Sequence, residues 1–303
     1  MKHPCPFAGN RGFTLVEAIV VIVITGIIGA MVAVFIRSPV EGYMDAERRA
    51  GLTDIADTAV RRMARDIRLA LPNSVRTPAD GSGLCIEFMP TRIGARYRAV
   101  VDGSTGNGDV LDFTTLDASF DMLWLNSTLP ADNRIVAGDV VVVYNDGSAS
   151  GNAYAGVNAI QVSGVAEPGG TANSTAITFV GVGAAAPFNR KLLPGESPGG
   201  RFQVIPSATH VVSYFCNGTQ LTRHTRLLGA AWGRPANCAA MVAGATSAVL
   251  ATNLGACSLI YDPPGVSTGL SRFGIVSMTL GITDAPTGET VNLYHQVHVD
   301  NTP

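Results

Sequence analysis

Residues 13–36 read FTLVEAIVVIVITGIIGAMVAVFI, and no charge occurs from Ala18 to Ile36. These nineteen residues are enough for a helix that crosses a bilayer. At about 1.5 Å rise per residue, the stretch 13–36 spans roughly 36 Å. The segment before it, MKHPCPFAGNRG, is short and polar and carries Lys2 and Arg11. Positive charge on that side predicts a cytoplasmic N-terminus and a body on the far side. An ordinary secretory signal peptide fits poorly. Its apolar region is about 7–15 residues long and ends at a small-residue cleavage site, whereas this run is longer and ends at Arg37-Ser38-Pro39. A plain signal anchor leaves Glu17 unexplained. A carboxylate inside such a segment is expensive, and by default it marks a function and calls for a partner.

Gly12-Phe13-Thr14-Leu15-Val16-Glu17 and the apolar tail behind them resemble the prepilin signature of type IV pilins, type II secretion pseudopilins and related minor pilins. The resemblance implies a leader peptide over residues 1–12, cut by a prepilin peptidase between Gly12 and Phe13. It implies N-methylation of the new Phe13 amine by the same peptidase/methylase. It gives Glu17 an assembly role, pairing with the N-terminal amine of a neighbouring subunit. The physics agrees, because a buried carboxylate and a buried ammonium each carry a desolvation cost that pairing relieves. Gly26, Gly29 and Ala30 offer small surfaces for helix packing.

Beyond Pro39, which is placed to kink the chain's exit from the membrane, the amphipathic half of the same long helix is expected over 37–71. Leu52, Ile55, Ala56, Ala59, Met63, Ile67, Ala70 and Leu71 recur at spacings of three and four, one face of a helix. Pro72 ends it. Arg61, Arg62, Arg65 and Arg68 interleave with Asp57 and Asp66 and read as a solvated face rather than a nucleic-acid patch. The formal net charge of -2 gives no basic field to attract nucleic acid. The stretch MARDIRLALPNSVR and the C-terminal ETVNLYHQVHVDNTP are similar to the MshO family of MSHA (mannose-sensitive haemagglutinin) pilus biogenesis proteins, and more distantly to J-type pseudopilins and PilW proteins.

Residues 72–303 read as a β-rich globular head. Glycine (34) and proline (17) punctuate many short apolar runs. Strands are expected at 84–89, 97–101, 110–114, 135–144, 159–165, 176–182, 202–205, 209–216, 220–225, 258–261, 274–282 and 290–299. Asn217-Gly218 marks a hairpin. A short helix is expected near 236–254, and long surface loops over 148–200. The fold class is α+β: a long N-terminal helix, half transmembrane and half amphipathic, packed on a mainly antiparallel pilin-like head of two sheets.

Cys5 falls in the leader. Cys85, Cys216, Cys238 and Cys257 remain, an even number in a domain expected outside the cytoplasm, which favours disulfides. A bridge within 216–257 is the preferred pairing among three connectivities. No CxxC pair supports a metal site, and no cofactor is expected. Gly195-Glu196-Ser197-Pro198-Gly199 matches the G-x-S-x-G pattern of a nucleophile elbow. Pro198 removes the backbone N–H an oxyanion hole would need, so Ser197 is not expected to be catalytic. His295 and His298, three apart on a strand, face opposite sides and do not share an ion. His210 and His224 read as surface or edge residues.

The expectation is a minor pilin, not an enzyme, acting in assembly or initiation of a type IV pilus of the MSHA type near the fibre tip. A type II secretion pseudopilin and a fibre-tip adhesin are the alternatives. Its partners would be the prepilin peptidase/methylase, other major and minor pilins, and the inner-membrane assembly platform. It would cross the inner membrane once, with its head in the periplasm, before joining a fibre at the cell surface.

Overall fold

The computed structural model describes residues 12–184, 187–262 and 273–303. They fall into two compact units, the chain up to Gly51 and Leu52–Pro303. One helix, α1 (Leu15–Arg68), carries most of the first unit and opens the second. The long helix expected as a transmembrane half over 13–36 and an amphipathic half over 37–71 is continuous. Pro39 lies inside it. A proline inside a helix gives up its own backbone bond and crowds the carbonyl four residues before it, and here the helix continues on either side. The helix ends at Arg68, ahead of Pro72, with a tighter turn in which Leu69 and Ala70 donate to Asp66 and Ile67 carbonyls.

No described residue from Gly12 to Gly51 is buried. From Leu52 the pattern changes. Leu52, Ala56, Val60, Met63 and Ile67 are buried against strands of the second unit. Ile55, expected on this face, is 45% exposed. The buried stripe runs through Val60 and Ala64 instead.

Among the described residues the second unit holds three antiparallel sheets rather than the two expected. The first has the order β1-β8-β9-β10: β1 (Cys85–Phe88), β8 (Val211–Asn217), β9 (Gln220–Arg226) and β10 (Thr246–Thr252). The β8–β9 hairpin closes with Asn217 opposite Gln220. Gly218 there has φ +59°, the conformation that a two-residue hairpin turn demands of its first central residue. The second sheet is β11 (Leu254–Asp262), β12 (Phe273–Thr283) and β13 (Thr290–Asp300). In β12 the alternating Val276, Met278, Leu280 and Ile282 are buried, as a half-buried strand requires. Both sheets share one core with the C-terminal part of α1. Asp66 reinforces that packing, since its carboxylate accepts from Tyr214 Oη at 2.7 Å and from Arg223 Nε at 2.8 Å.

The third sheet has six strands in the order β2-β7-β4-β5-β6-β3: β2 (Ile93–Arg96), β3 (Ser119–Met122), β4 (Val140–Val143), β5 (Ala159–Ala166), β6 (Thr175–Phe179) and β7 (Arg201–Ile205). Its two edges meet. Tyr97 bridges Met122, Arg98 N–H donates to Asp121 O, and Leu123 N–H donates to Arg96 O. The sheet thus closes on itself as a small barrel along part of its seam. Phe120, Met122, Val141, Ile160, Phe202 and Val204 fill the inside. A separate core, including Leu71, Met89, Tyr154 and Phe188, joins the barrel to the first sheet.

Several local expectations are corrected. Residues 97–101 and 110–114 form no strand, and β3 was not anticipated, because pairing across the barrel seam and not local propensity decides which of these segments extends. The 135–144 strand shrinks to Val140–Val143. The helix expected near 236–254 is a five-residue turn, α2 (Cys238–Val242), followed by β10. The Ala-rich segment goes extended because β9 offers it an edge to pair with. Within 148–200 the strands expected at 159–165 and 176–182 do form, as β5 and β6 of the barrel.

Candidate assembly site at the helix start

Thr14-Leu15-Val16-Glu17 fits the T-x-x-E capping-box pattern. Only one arm of the box forms. Glu17 N–H donates to Thr14 Oγ1 at 3.3 Å, and Ala18 N–H bonds the Thr14 carbonyl. The Glu17 carboxylate does not return the bond and has no hydrogen-bond or ion-pair partner among the described residues. It is the acidic residue of the first helical turn, where unpaired N–H groups and the helix dipole favour negative charge. Phe13, two residues before the helix, is 75% exposed. Along the apolar stretch Thr25 returns its hydroxyl to the Val21 carbonyl at 2.7 Å, the usual way to satisfy a polar group in lipid. A Cβ placed on Gly26 or Gly29 would meet nothing within 4 Å, so both faces are open to close approach.

Glu17 stands out in the sequence by its isolation in an apolar run. The role of Thr14 was legible only as a pattern, since the sequence does not tell that half the box stays open. Residues 1–11 of the leader, with Cys5, lie outside the described residues.

The other candidates go elsewhere. The four cysteines pair as Cys85–Cys238, joining β1 to α2, and Cys216–Cys257, joining β8 to β11. Ser197 is buried, its hydroxyl donating to the Arg201 carbonyl and accepting from Arg201 N–H at 2.7 Å. That closes a local turn, and no helix follows. His295 and His298 lie on opposite faces of β13, the first half-buried and the second exposed. Among the described residues no three His, Cys, Asp or Glu side chains group as a metal site would need. Arg61 pairs with Asp57 at 2.6 Å, and Arg61, Arg62, Arg65 and Arg68 are all exposed.

His210 and His224 are a correction, since both are buried. His210 Nδ1 accepts from Leu228 N–H at 2.9 Å, and its Nε2 has no partner. His224 Nε2 meets Thr222 Oγ1 at 2.9 Å. Burial lowers the pKa of His210 against the pull of Asp139, and burial with the Arg226 guanidinium lowers that of His224. Hairpin position misled here, because a second layer covers the hairpin. Sequence reading also missed Glu87. It is fully buried, bonded to Arg76 Nε at 2.6 Å and Trp232 Nε1 at 3.2 Å, and burial raises its pKa despite Arg76.

Residues 8–33 match the prokaryotic N-terminal methylation motif. No curated protein and no solved structure is significantly similar to the chain. The match defines a type IV prepilin-like leader followed by an apolar helix. It supports a pilin- or pseudopilin-type role, implies processing by a prepilin peptidase, and suggests membrane anchoring with later incorporation into a fibre.

Proposed function

We propose that this protein is a minor pilin, pseudopilin-like, that takes part in assembly or initiation of a type IV pilus near the fibre tip. The observation that carries the reading is the Glu17 carboxylate, without a partner among the described residues and set in the first turn of an apolar helix within the methylation motif. In this reading the peptidase cuts between Gly12 and Phe13, and Phe13 is N-methylated. Glu17 then accepts the amine of a neighbouring subunit within the apolar fibre core. Pairing there relieves the desolvation of both charges and fixes the register between helices. The peptidase/methylase, major and minor pilins and the inner-membrane platform are the partners, and the protein has no enzymatic activity of its own. The head waits in the periplasm until the helix leaves the inner membrane for the fibre. The size of the head, residues 52–303, favours a tip position, because so large a body is hard to repeat along a tight fibre. The MSHA assignment rests on the short terminal similarities alone.

Mass spectrometry of the N-terminus, with and without the peptidase and in Gly12→Ala, tests the processing. A peptidase-dependent start at N-methyl-Phe13, lost in Gly12→Ala, is expected. A start at Met1 or Lys2 that ignores the peptidase would sink the proposal. Localisation of the protein at the end of a surface fibre, rather than in a short periplasmic pseudopilus, separates the pilus reading from type II secretion.

A further inference from the structure

The barrel closes at Met122 but not along the rest of its seam. In the β2–β7 ladder, Tyr97 N–H bonds Gly200 O, and Ala95 and Ile93 lie opposite Phe202 and Val204. Antiparallel pairs alternate between bonded and non-bonded positions. The backbone groups of Gly94 and Arg96 therefore turn toward the seam. There the Arg96 carbonyl takes Leu123 N–H. Among the described residues, the N–H and C=O of Gly94 and the N–H of Arg96 find no partner across it. Beyond Leu123 the facing chain leaves the sheet and turns into the short 3-10 helix Asn126–Thr128.

The result is a slot of about 280 Å³ in the barrel wall, lined by Ile93, Ala95, Met122, Leu123, Trp124 and Leu129. Ile93 and Ala95 pack on the barrel core, so their flanks are seen through the gap. Trp124 and Leu123 are 60% and 42% exposed on its other side. Arg96 stands at the rim, exposed, and its guanidinium has no hydrogen-bond or ion-pair partner among the described residues. An open β-edge beside an apolar floor is the geometry that accepts an added strand.

We propose that this seam binds an extended segment of a partner protein, which completes the barrel wall as a further stave beside β2. The unpaired groups of Gly94 and Arg96 bond its backbone. Its alternate side chains are apolar and cover Ile93 and Ala95, since a strand presents every second residue to one face. An acidic side chain next to Arg96 supplies the missing charge. The segment need be no longer than the four residues of β2. This inference does not depend on processing at Gly12.

The test uses the full chain in lipid nanodiscs and three blocked hexapeptide probes. One is Val-Thr-Val-Glu-Val-Thr, the second is the same peptide N-methylated at alternate residues, and the third has Lys in place of Glu. Amide hydrogen exchange is followed at Gly94 and Arg96, with Trp124 fluorescence in parallel. The Glu peptide is expected to slow exchange at both amides by about tenfold or more, equivalent to about 1.4 kcal/mol. The N-methylated peptide should not, and the Lys peptide should bind more weakly. Arg96→Glu, at an exposed position, should reverse the preference between the Glu and Lys peptides. Unchanged exchange at millimolar peptide would overturn the proposal. So would equal binding of the N-methylated peptide, which would mean an apolar ligand without strand pairing. Protection that grows with protein concentration and no peptide would assign the seam to a second copy instead.

Discussion

The chain up to Gly51 and the unit from Leu52 both begin from apolar side chains, but they dispose of them in opposite ways. In the first, no described residue is buried. Phe13, Leu15, Ile24, Met31 and Phe35 are all at least half exposed. In the second, the same helix places Ala56, Met63 and Ile67 at full burial against its own sheets. A helix apolar all round needs lipid or other helices, whereas one with a single apolar stripe needs one packed face. Charge follows the same division. Glu17 has no partner among the described residues, while Asp121, fully buried at the barrel seam, accepts from Arg98 Nε at 3.3 Å, Asp109 N–H at 3.1 Å and Gly170 N–H at 2.9 Å. The head satisfies this buried charge from within, whereas the N-terminal segment leaves its carboxylate without a partner among the described residues.

The comparison breaks most sharply at the buried seam. Asp121→Ala leaves Arg98 buried and unpaired, and should cost the head about 3–5 kcal/mol in equilibrium unfolding. Ile67→Ala removes a fully buried side chain from the shared core. A loss of about 2–5 kcal/mol is expected from chemical denaturation of the full chain in detergent. Glu17→Val should leave that unfolding curve in place while fibre incorporation, read by immunoblot of sheared fibres, falls about tenfold or more. That is about 1.4 kcal/mol or more of lost pairing. A shifted head transition in this variant would contradict the division of labour.

A smaller effect is expected from pH. The folded-state pKa values of His210 and His224 lie below the ordinary value, so the unfolded chain takes up protons first as pH falls. Their contribution to stability is complete above about pH 6.5 and is lost progressively below it. Thermal unfolding between pH 7.5 and 5.5 should show this decline, and His224→Gln should flatten it. Glu87 acts with the opposite sign, since its carboxyl is pushed upward by burial. Its destabilising share appears as pH rises above the ordinary carboxyl range, which is why the histidine variant and not the wild-type slope alone decides. The smallest effect is Ile24→Ala. At 50% exposure and within the first unit, it should not move head unfolding measurably.

The N-terminal region was legible from sequence because its physics is one-dimensional. An uninterrupted apolar run, one glutamate and a preceding glycine need no distant contact to be read. The helix face from Leu52 and the β8–β9 hairpin were legible too, since periods of 3.6 and 2 and a turn glycine are local signals. The head's topology was not. Residues 97–101 and 246–252 were misassigned because strand formation depends on which edge a segment meets, β3 and the seam in one case and β9 in the other. The burial of Glu87, Asp121 and His210 came from layers contributed by remote parts of the chain, and no local pattern carries that information. So the sequence by itself determined that this chain opens with a prokaryotic N-terminal methylation motif that runs into an apolar helix. Only the tertiary structure decided that the head contains a barrel, that its cysteines pair 85 with 238 and 216 with 257, and that the barrel wall stops short at Gly94. Each of those follows from pairing between residues far apart in the chain, and such pairing is settled by packing the whole head at once.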